Sequence, residues 1–313
     1  MQAVIVAGGK GTRLRPLTHR TPKPMLPLFE RPFLVYLIER CRQVGVTDII
    51  LNVHYAARQV QDYLGEGKDF GVHIRYSVEE TPLDTCGAVK LGADYFTGEA
   101  LLVFNADILT DLDLNQLIRW HQDHGHLGTL ALARVPDPTA YGLVELDPQG
   151  RVLSFREKPT AQQAQQWGID TINAGTYLLE PEVFARVPAG VPWSFERQLF
   201  PQLVETARGL GGFVSPGYWL DIGTPQKYAQ AHTDILTGLM PYPLTAQEVA
   251  PQVWLAPETQ VDPMAQLKGP CYVGPRCHLG PLARLAAGVV LGADSAVNAT
   301  LAAGLYPAGT LVL

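Results

Sequence analysis

Cysteine is scarce in this chain: Cys41, Cys86, Cys271 and Cys277 are the only four among 313 residues, and no Cys-x-x-Cys pair occurs. Nothing points to a disulfide framework, and reduced thiols in a cytoplasmic protein are the simplest account. No apolar run is long enough to cross a membrane, and Lys10 and Arg13 interrupt the apolar start that a signal peptide would need. Basic residues do not cluster outside the early loop and the formal net charge is −6, so neither nucleic acid nor a membrane is expected as a partner. Two familiar glycine motifs are missing as well. A dinucleotide turn read from Gly9 would put its third glycine where Leu14 stands. A P-loop would need Gly-Lys-Ser/Thr, whereas Lys10 precedes Gly11. With 47% hydrophobic and 17% charged residues, the composition is that of a globular protein, and its length suggests about two domains.

What is present begins at once. Ala3-Val4-Ile5-Val6 reads as a buried parallel strand, and AGGKGTRLRPLTHRTPKP follows from Ala7 to Pro24. Gly8, Gly9 and Gly11 let the backbone approach an anion without an intervening Cβ. Arg13 offers a planar fork of donors for phosphate oxygens, and Lys23 a mobile point charge. Pro16, Pro22 and Pro24 stiffen the segment around these cations. Such a loop suits a polyphosphate.

Up to about residue 240, strand-like runs alternate with amphipathic segments. Helical spacing over Leu34–Val44, Arg58–Leu64, Ala88–Tyr95 and Leu114–His121 is interleaved with strands at Ile49–Val53, Val72–Val78, Leu101–Phe104 and Thr129–Arg134. The pattern predicts an α/β domain over residues 1–240, a Rossmann-like, mostly parallel sheet with helices on both faces. Ligands of such sheets bind at the carboxyl ends of strands, where the glycine loop and Asp107 would both lie.

Residues 241–313 follow another rule. Aliphatic side chains recur every six positions: Leu255, Val261, Leu267, Val273, Leu279, Leu285, Leu291 and Val297. Four residues after each stands a mostly small one, from Thr259 and Ala265 to Ser295, with Leu301 the exception. Strict sixes predict a short left-handed parallel β-helix of hexapeptide repeats, under three coils long. Its open end would need capping or pairing, which suggests a homo-oligomer. Hexapeptide domains can also be acyltransferases, but only His278 lies within this one, so a structural or oligomerising tail is expected.

The run GGKGTRLRPLTHRTPKP resembles the signature of the sugar-1-phosphate nucleotidylyltransferases (NDP-sugar pyrophosphorylases). The likeness continues in order through Asp107, Glu157-Lys158-Pro159, Asn173-Ala174-Gly175 and Gly217 to Pro225 (GYWLDIGTP). It implies that a sugar 1-phosphate attacks the α-phosphorus of a nucleoside triphosphate, releasing pyrophosphate. It further implies Mg²⁺ held by Asp107 and Asp221, with Arg13, Lys23 and these two aspartates as the catalytic set. Gly8, Gly9, Gly11, Arg13 and Gly87 would bind the nucleotide; Gly142, Glu157, Lys158 and Asn173 the sugar phosphate. Both aspartates sit in apolar runs, where a carboxylate is costly unless paired or metal-bound. The segments Asn52-Val53-His54-Tyr55 and Phe70-Gly71-Val72 and the short tail are most like mannose-1-phosphate guanylyltransferases. Glucose-1-phosphate thymidylyl- and uridylyltransferases share most of these features, and a non-catalytic regulatory subunit that binds nucleotide-sugar is a further alternative.

Two motifs depart from the pattern. Leu-Gly-Thr-Ala-Gly becomes Leu83-Asp84-Thr85-Cys86-Gly87, and Ala106 stands where glycine commonly precedes the metal aspartate. Cys86 has no histidine beside it in sequence, which speaks against a nucleophile. His121, His124 and His126 read as the end of a helix stopped by Gly125, because imidazole suits zinc or iron whereas phosphoryl transfer calls for Mg²⁺.

Overall fold

The computed structural model describes residues 1–157 and 159–312, without the side chain of Glu157. Residues 1–26 and 33–219 form one compact unit, and residues 27–32 and 220–313 a second.

In chain order the strands are β1 (Gln2–Val6), β2 (Pro27–Leu28), β3 (Arg31–Pro32), β4 (Asp48–Val53), β5 (His73–Val78), β6 (Leu101–Asn105), β7 (Ile108–Thr110) and β8 (Gly128–Arg134). They continue as β9 (Gly142–Leu146), β10 (Val152–Glu157), β11 (Thr171–Leu179), β12 (Leu210–Val214) and β13 (Trp219–Asp221). The helices are α1 (Phe33–Gln43), α2 (Ala57–Leu64), α3 (Asp84–Leu91), α4 (Leu114–His124), α5 (Ala161–Trp167), α6 (Phe200–Val204) and α7 (Pro225–Leu236).

The first unit is built on a mixed sheet. β6, β1, β4 and β5 lie side by side and parallel, with Ile5 between Phe104 and Leu51. Their runs are apolar because such strands are covered on both faces. The long β11 then enters antiparallel against β6, Thr176 facing Phe104, and carries β9 and β8 beside it; β12 adds to β8 in parallel. The alternating pattern thus predicts the parallel half, and the antiparallel half follows where that alternation stops. A core of Val4, Val103, Leu130, Tyr177, Phe195 and Phe200 joins the two halves. Helix ends follow local chemistry: Asp113 caps α4 by accepting from Gln116 N at 3.0 Å, and Gly125 ends it at φ 65°.

His121 turns into this core, with Nδ1 2.8 Å from Thr129 Oγ1 and Nε2 3.2 Å from Glu180 Oε1. Burial lowers its pKa against the pull of Glu180. His124 and His126 instead stack beside Trp120 and use Nδ1 on the carbonyls of Trp120 and Arg208.

In the second unit the chain coils through three parallel ladders. Val253–Leu255, Cys271–Val273, Val289–Leu291 and Gly304–Tyr306 stack on one face; Gln260–Val261, His278–Leu279, Ala296–Val297 and Leu311–Val312 on the next; Gln266–Leu267, Arg284–Leu285 and Thr300–Leu301 on the third. The hexad residues line its interior, with Val273, Leu279, Leu285, Leu291 and Val297 buried among Cys271, Cys277 and Ala283. The solenoid is longer than the count of sixes predicts. Its last coil steps from Val289 to Gly304 instead of repeating the eighteen-residue offset of Cys271 to Val289, so the strict period breaks while the stacking goes on. Gln247–Ala250 covers one edge antiparallel to Val253–Leu255. The boundary expected after residue 240 falls inside this unit, because α7 and the β2–β3 hairpin pack with the tail: Phe29 lies 4.9 Å from His232 and 4.7 Å from Tyr272 between ring centroids. Among the described residues no helix is long and apolar enough to cross a membrane.

Candidate active site

The glycine loop leaves the sheet at the carboxyl end of β1, where Ala7 N still donates to Asn52 O at 2.9 Å. Gly11 is at φ 59°, and a Cβ there would come within 3.0 Å of Lys23 Cβ and Thr18 Cγ2. Both conformation and space therefore demand glycine. Its carbonyl accepts from Thr18 Oγ1 at 2.7 Å, which folds the loop back onto the segment carrying Lys23. A Cβ on Gly8 would stand 2.5 Å from Glu79 Oε1, while one on Gly9 would meet nothing within 4 Å among the described residues. Arg13 is exposed on a single 3-10 turn, Thr12–Leu14, anchored by buried Leu14.

Lys23 starts a further 3-10 turn, Lys23–Met25, and its ammonium pairs with the carboxylate of Asp107. The lysine side chain is 12% exposed and the aspartate 27%, so the pair sits at the floor of the surface and not within the core. Asp107 arrives just past β6, after Ala106, whose N–H donates to Val6 O at 3.1 Å. Ala106 is not among the described residues with positive φ, which explains why a methyl is tolerated where glycine commonly stands. The adjacent carboxyl ends of β1 and β6 thus bring Gly8–Gly11, Lys23 and Asp107 to one corner.

β9, β10 and β11 assemble the sugar-side candidates by register. Gly142 faces Glu157 across β9 and β10, and Leu143, next to Gly142, faces Ile172, next to Asn173. Asn173 lies at a register shift in β11: its Nδ2 donates to Tyr177 OH at 2.9 Å and its Oδ1 accepts from Gly175 N at 3.1 Å. Gly175, at φ 73°, lets Asn105 come within 3.0 Å of where a Cβ would stand. Because Asn105 ends β6 two residues before Asp107, both halves of the site open at one end of the sheet. Lys158 and the side chain of Glu157 lie outside the described residues.

Gly87, expected to contact the nucleotide through its backbone, is packed closely by the protein's own chain. It is buried in α3, and its N–H already donates to Trp193 O at 2.9 Å. A Cβ would lie 2.8 Å from Val191 O and 3.2 Å from Trp193 N. The close approach that requires glycine is made by the protein's own backbone. Gly87→Ala is therefore expected to cost about 1–3 kcal/mol of stability, the usual range for overpacking, read as a lower midpoint in thermal or urea denaturation. Cys86 is buried too, and that burial pushes its thiol pKa up, so it is no nucleophile.

Asp221 belongs to the second unit. It closes β13 with a side chain 13% exposed, 3.8 Å from Lys227 Nζ. The cap of α7 is Thr224, whose Oγ1 accepts from Lys227 N, so Asp221 is not spent on starting that helix. Among the described residues no three metal-ligating side chains converge. A Mg²⁺ site needs only one or two carboxylates, with substrate phosphates and water completing the shell, and hard, partly exposed carboxylates fit that donor set.

Sequence reasoning missed Glu79. It lies just past β5, its Oε2 accepts from Leu83 N at 2.9 Å, and its Oε1 faces the Cα of Gly8. Burial raises its carboxyl pKa, opposed by that N–H bond. Adjacent acids at Glu79-Glu80 were the available signal, but only the fold reveals that one of them turns toward the glycine loop.

Residues 2–238 match the family model described as nucleotidyl transferase. Among curated proteins, the mannose-1-phosphate guanylyltransferase of Mycobacterium tuberculosis is 39% identical over 244 residues, covering 78% of this chain and 67% of that protein. The UTP–glucose-1-phosphate uridylyltransferase of a Synechocystis species is 35% identical over 250 residues, covering 76% and 64%. The chain thus spans about two thirds of the length of these relatives. Among solved structures, HddC from Yersinia pseudotuberculosis superposes with a TM-score of 0.63 at 32% identity, covering 74% of this chain and 97% of that one. A second structure of HddC, complexed with GMP-PN, gives 0.62 at 31%.

Proposed function

Because this chain belongs to the nucleotidyl transferase family, we propose that it joins a nucleoside triphosphate to a sugar 1-phosphate, and that GTP and mannose 1-phosphate, giving GDP-mannose, are its substrates. The observation that carries the reading is the Lys23–Asp107 pair beside the glycine loop. Among the described residues this ammonium and carboxylate pair with each other, and ligands of opposite charge would separate them.

The reaction is a single displacement. An oxygen of the sugar phosphate forms a bond to the α-phosphorus, the bond from that phosphorus to the bridging oxygen breaks, and pyrophosphate leaves with the electron pair. The attacking phosphate is already an anion near neutral pH, so positioning and charge neutralisation carry the barrier. The Arg13 guanidinium holds the β- and γ-phosphates, Gly8, Gly9 and Gly11 bind the nucleotide, and Lys23 neutralises charge at the α-phosphate. Lys158 receives the sugar phosphate, with Gly142, Glu157 and Asn173 around the sugar. Asp107 and Asp221 are the residues that would hold Mg²⁺, which when bound would supply further positive charge to the triphosphate.

Glu79 favours guanine. An ionised carboxylate only accepts hydrogen bonds. Guanine presents two neighbouring donors, N1–H and the 2-amino group, where uracil or thymine presents the single N3–H. The test is a panel in which each nucleoside triphosphate is paired with each sugar 1-phosphate in the presence of Mg²⁺, with pyrophosphate release as readout. GTP with mannose 1-phosphate should give the highest kcat/KM, and Glu79→Gln should reduce the preference for GTP over UTP by about tenfold or more, the worth of one charge-assisted hydrogen bond. Higher turnover of UTP with glucose 1-phosphate would reassign the substrates and leave the reaction class standing.

A further inference from the structure

The two halves of the candidate site are joined by a polar chain behind them. Its centre is Glu196, in the segment Phe195–Leu199, which is wound as a π-helix. Widened turns of this kind are rare and often accompany functional sites. Ser194 caps the turn: its Oγ accepts from Arg197 N at 3.2 Å and donates to Glu196 Oε2 at 2.7 Å. On the nucleotide side Thr85, in the altered loop, accepts from Phe195 N at 3.1 Å and donates to the same Glu196 oxygen at 3.2 Å.

The loop is fastened on both sides of Thr85. Leu83 O accepts from Trp193 N, and Cys86 and Gly87 donate to Trp193 O, each at 2.9 Å. Asp84, held at φ 60° where L-residues are uncommon, is ion-paired to Arg197. Leu83 also donates to Glu79, the carboxylate that faces Gly8. On the sugar side the other Glu196 oxygen faces the hydroxyl of fully buried Tyr177 at 3.5 Å. That hydroxyl accepts from Asn173, so its own proton is left to point onward.

We propose that Glu196 is a positioning residue that couples the two substrate half-sites, so that filling the nucleotide side orders Asn173 and its neighbours for the sugar phosphate, and the reverse. The proposal rests on the substrate reading above. The coupling runs from the close approach of Glu79 to Gly8, through the Leu83–Glu79 hydrogen bond and the short chain segment from Leu83 to Thr85, and on through the hydrogen bonds Thr85–Glu196, Tyr177–Glu196 and Asn173–Tyr177. The Tyr177 hydroxyl donates toward Glu196 while accepting from Asn173, so a ligand that shifts either partner acts on the other through this one group.

The experiment measures the Kd of α,β-methylene-GTP with Mg²⁺, without and with saturating mannose 1-phosphate; the ratio is the coupling factor. In the wild type it should be about fivefold or more, the lower end of measured site-to-site coupling. Glu196→Gln and Tyr177→Phe should each bring the ratio close to one while both ligands still bind singly. The double variant should lose nothing more, as expected of links in one chain. Tyr177→Phe removes only the hydroxyl and keeps the ring against Phe195 and Phe200, so it stands if Glu196→Gln fails to fold. Normal single-ligand binding with a wild-type ratio of one, or an unchanged ratio in folded variants, overturns the coupling alone. Failure of the wild type to bind either ligand overturns the substrate reading and the coupling with it.

Discussion

Replacing Lys23 by alanine is expected to lower kcat/KM for nucleotidyl transfer by about a hundredfold or more, the effect of removing one preorganised donor from a developing charge. The lysine side chain is 12% exposed and its segment packs against Gly11, so little reorganisation is needed when charge builds at the phosphates. Arginine should not restore the rate, because a planar fork needs room and directions that a compact ammonium does not. The loss should fall mainly on kcat, since Arg13 and the glycine loop still hold the triphosphate. Pyrophosphate release by the purified, folded variant checks this, and turnover near that of the wild type would remove Lys23 from the chemistry. Stability should change little: Asp107 keeps 27% of its side chain in solvent and can hydrate once its partner is gone.

Asp107→Ala is expected to be at least as damaging, again about a hundredfold or more in kcat. The reason differs. Lys23 carries positive charge of its own, whereas Asp107 contributes through what it attracts. The loss should therefore shrink as Mg²⁺ is raised into the millimolar range and beyond, since a weakened site fills again by mass action. Lys23→Ala should show no such recovery. An Asp107 variant whose Mg²⁺ dependence matches that of the wild type would mean that the carboxylate serves only its ion pair with Lys23.

Much of this was readable because the determining interactions are local or periodic. The Ala7–Pro24 loop carries its glycines and cations in one stretch, and the hexads of the tail line a single buried core from Val261 to Val297. The last coil escaped because its step shortens, which leaves stacking intact but destroys the period. β11 was not anticipated as the strand that joins the two halves, since its antiparallel pairing with β6 and β8 depends on residues far apart in the chain. The packing around Gly87 was hidden for a physical reason. A loop glycine signals close approach without identifying what approaches, and here it is the carbonyl of Val191. Glu79 and Glu196 were invisible for the opposite reason, as unremarked acids whose meaning comes from the hydroxyls and N–H groups folded against them.

The most direct test follows both products of one reaction mixture. With GTP, mannose 1-phosphate and Mg²⁺, pyrophosphate and nucleotide-sugar should appear together in equal amounts, and both should stop when a chelator is added. Release of inorganic phosphate instead, or neither product from any pairing of nucleoside triphosphate with sugar 1-phosphate, would contradict attack at the α-phosphorus beside Lys23 and Asp107.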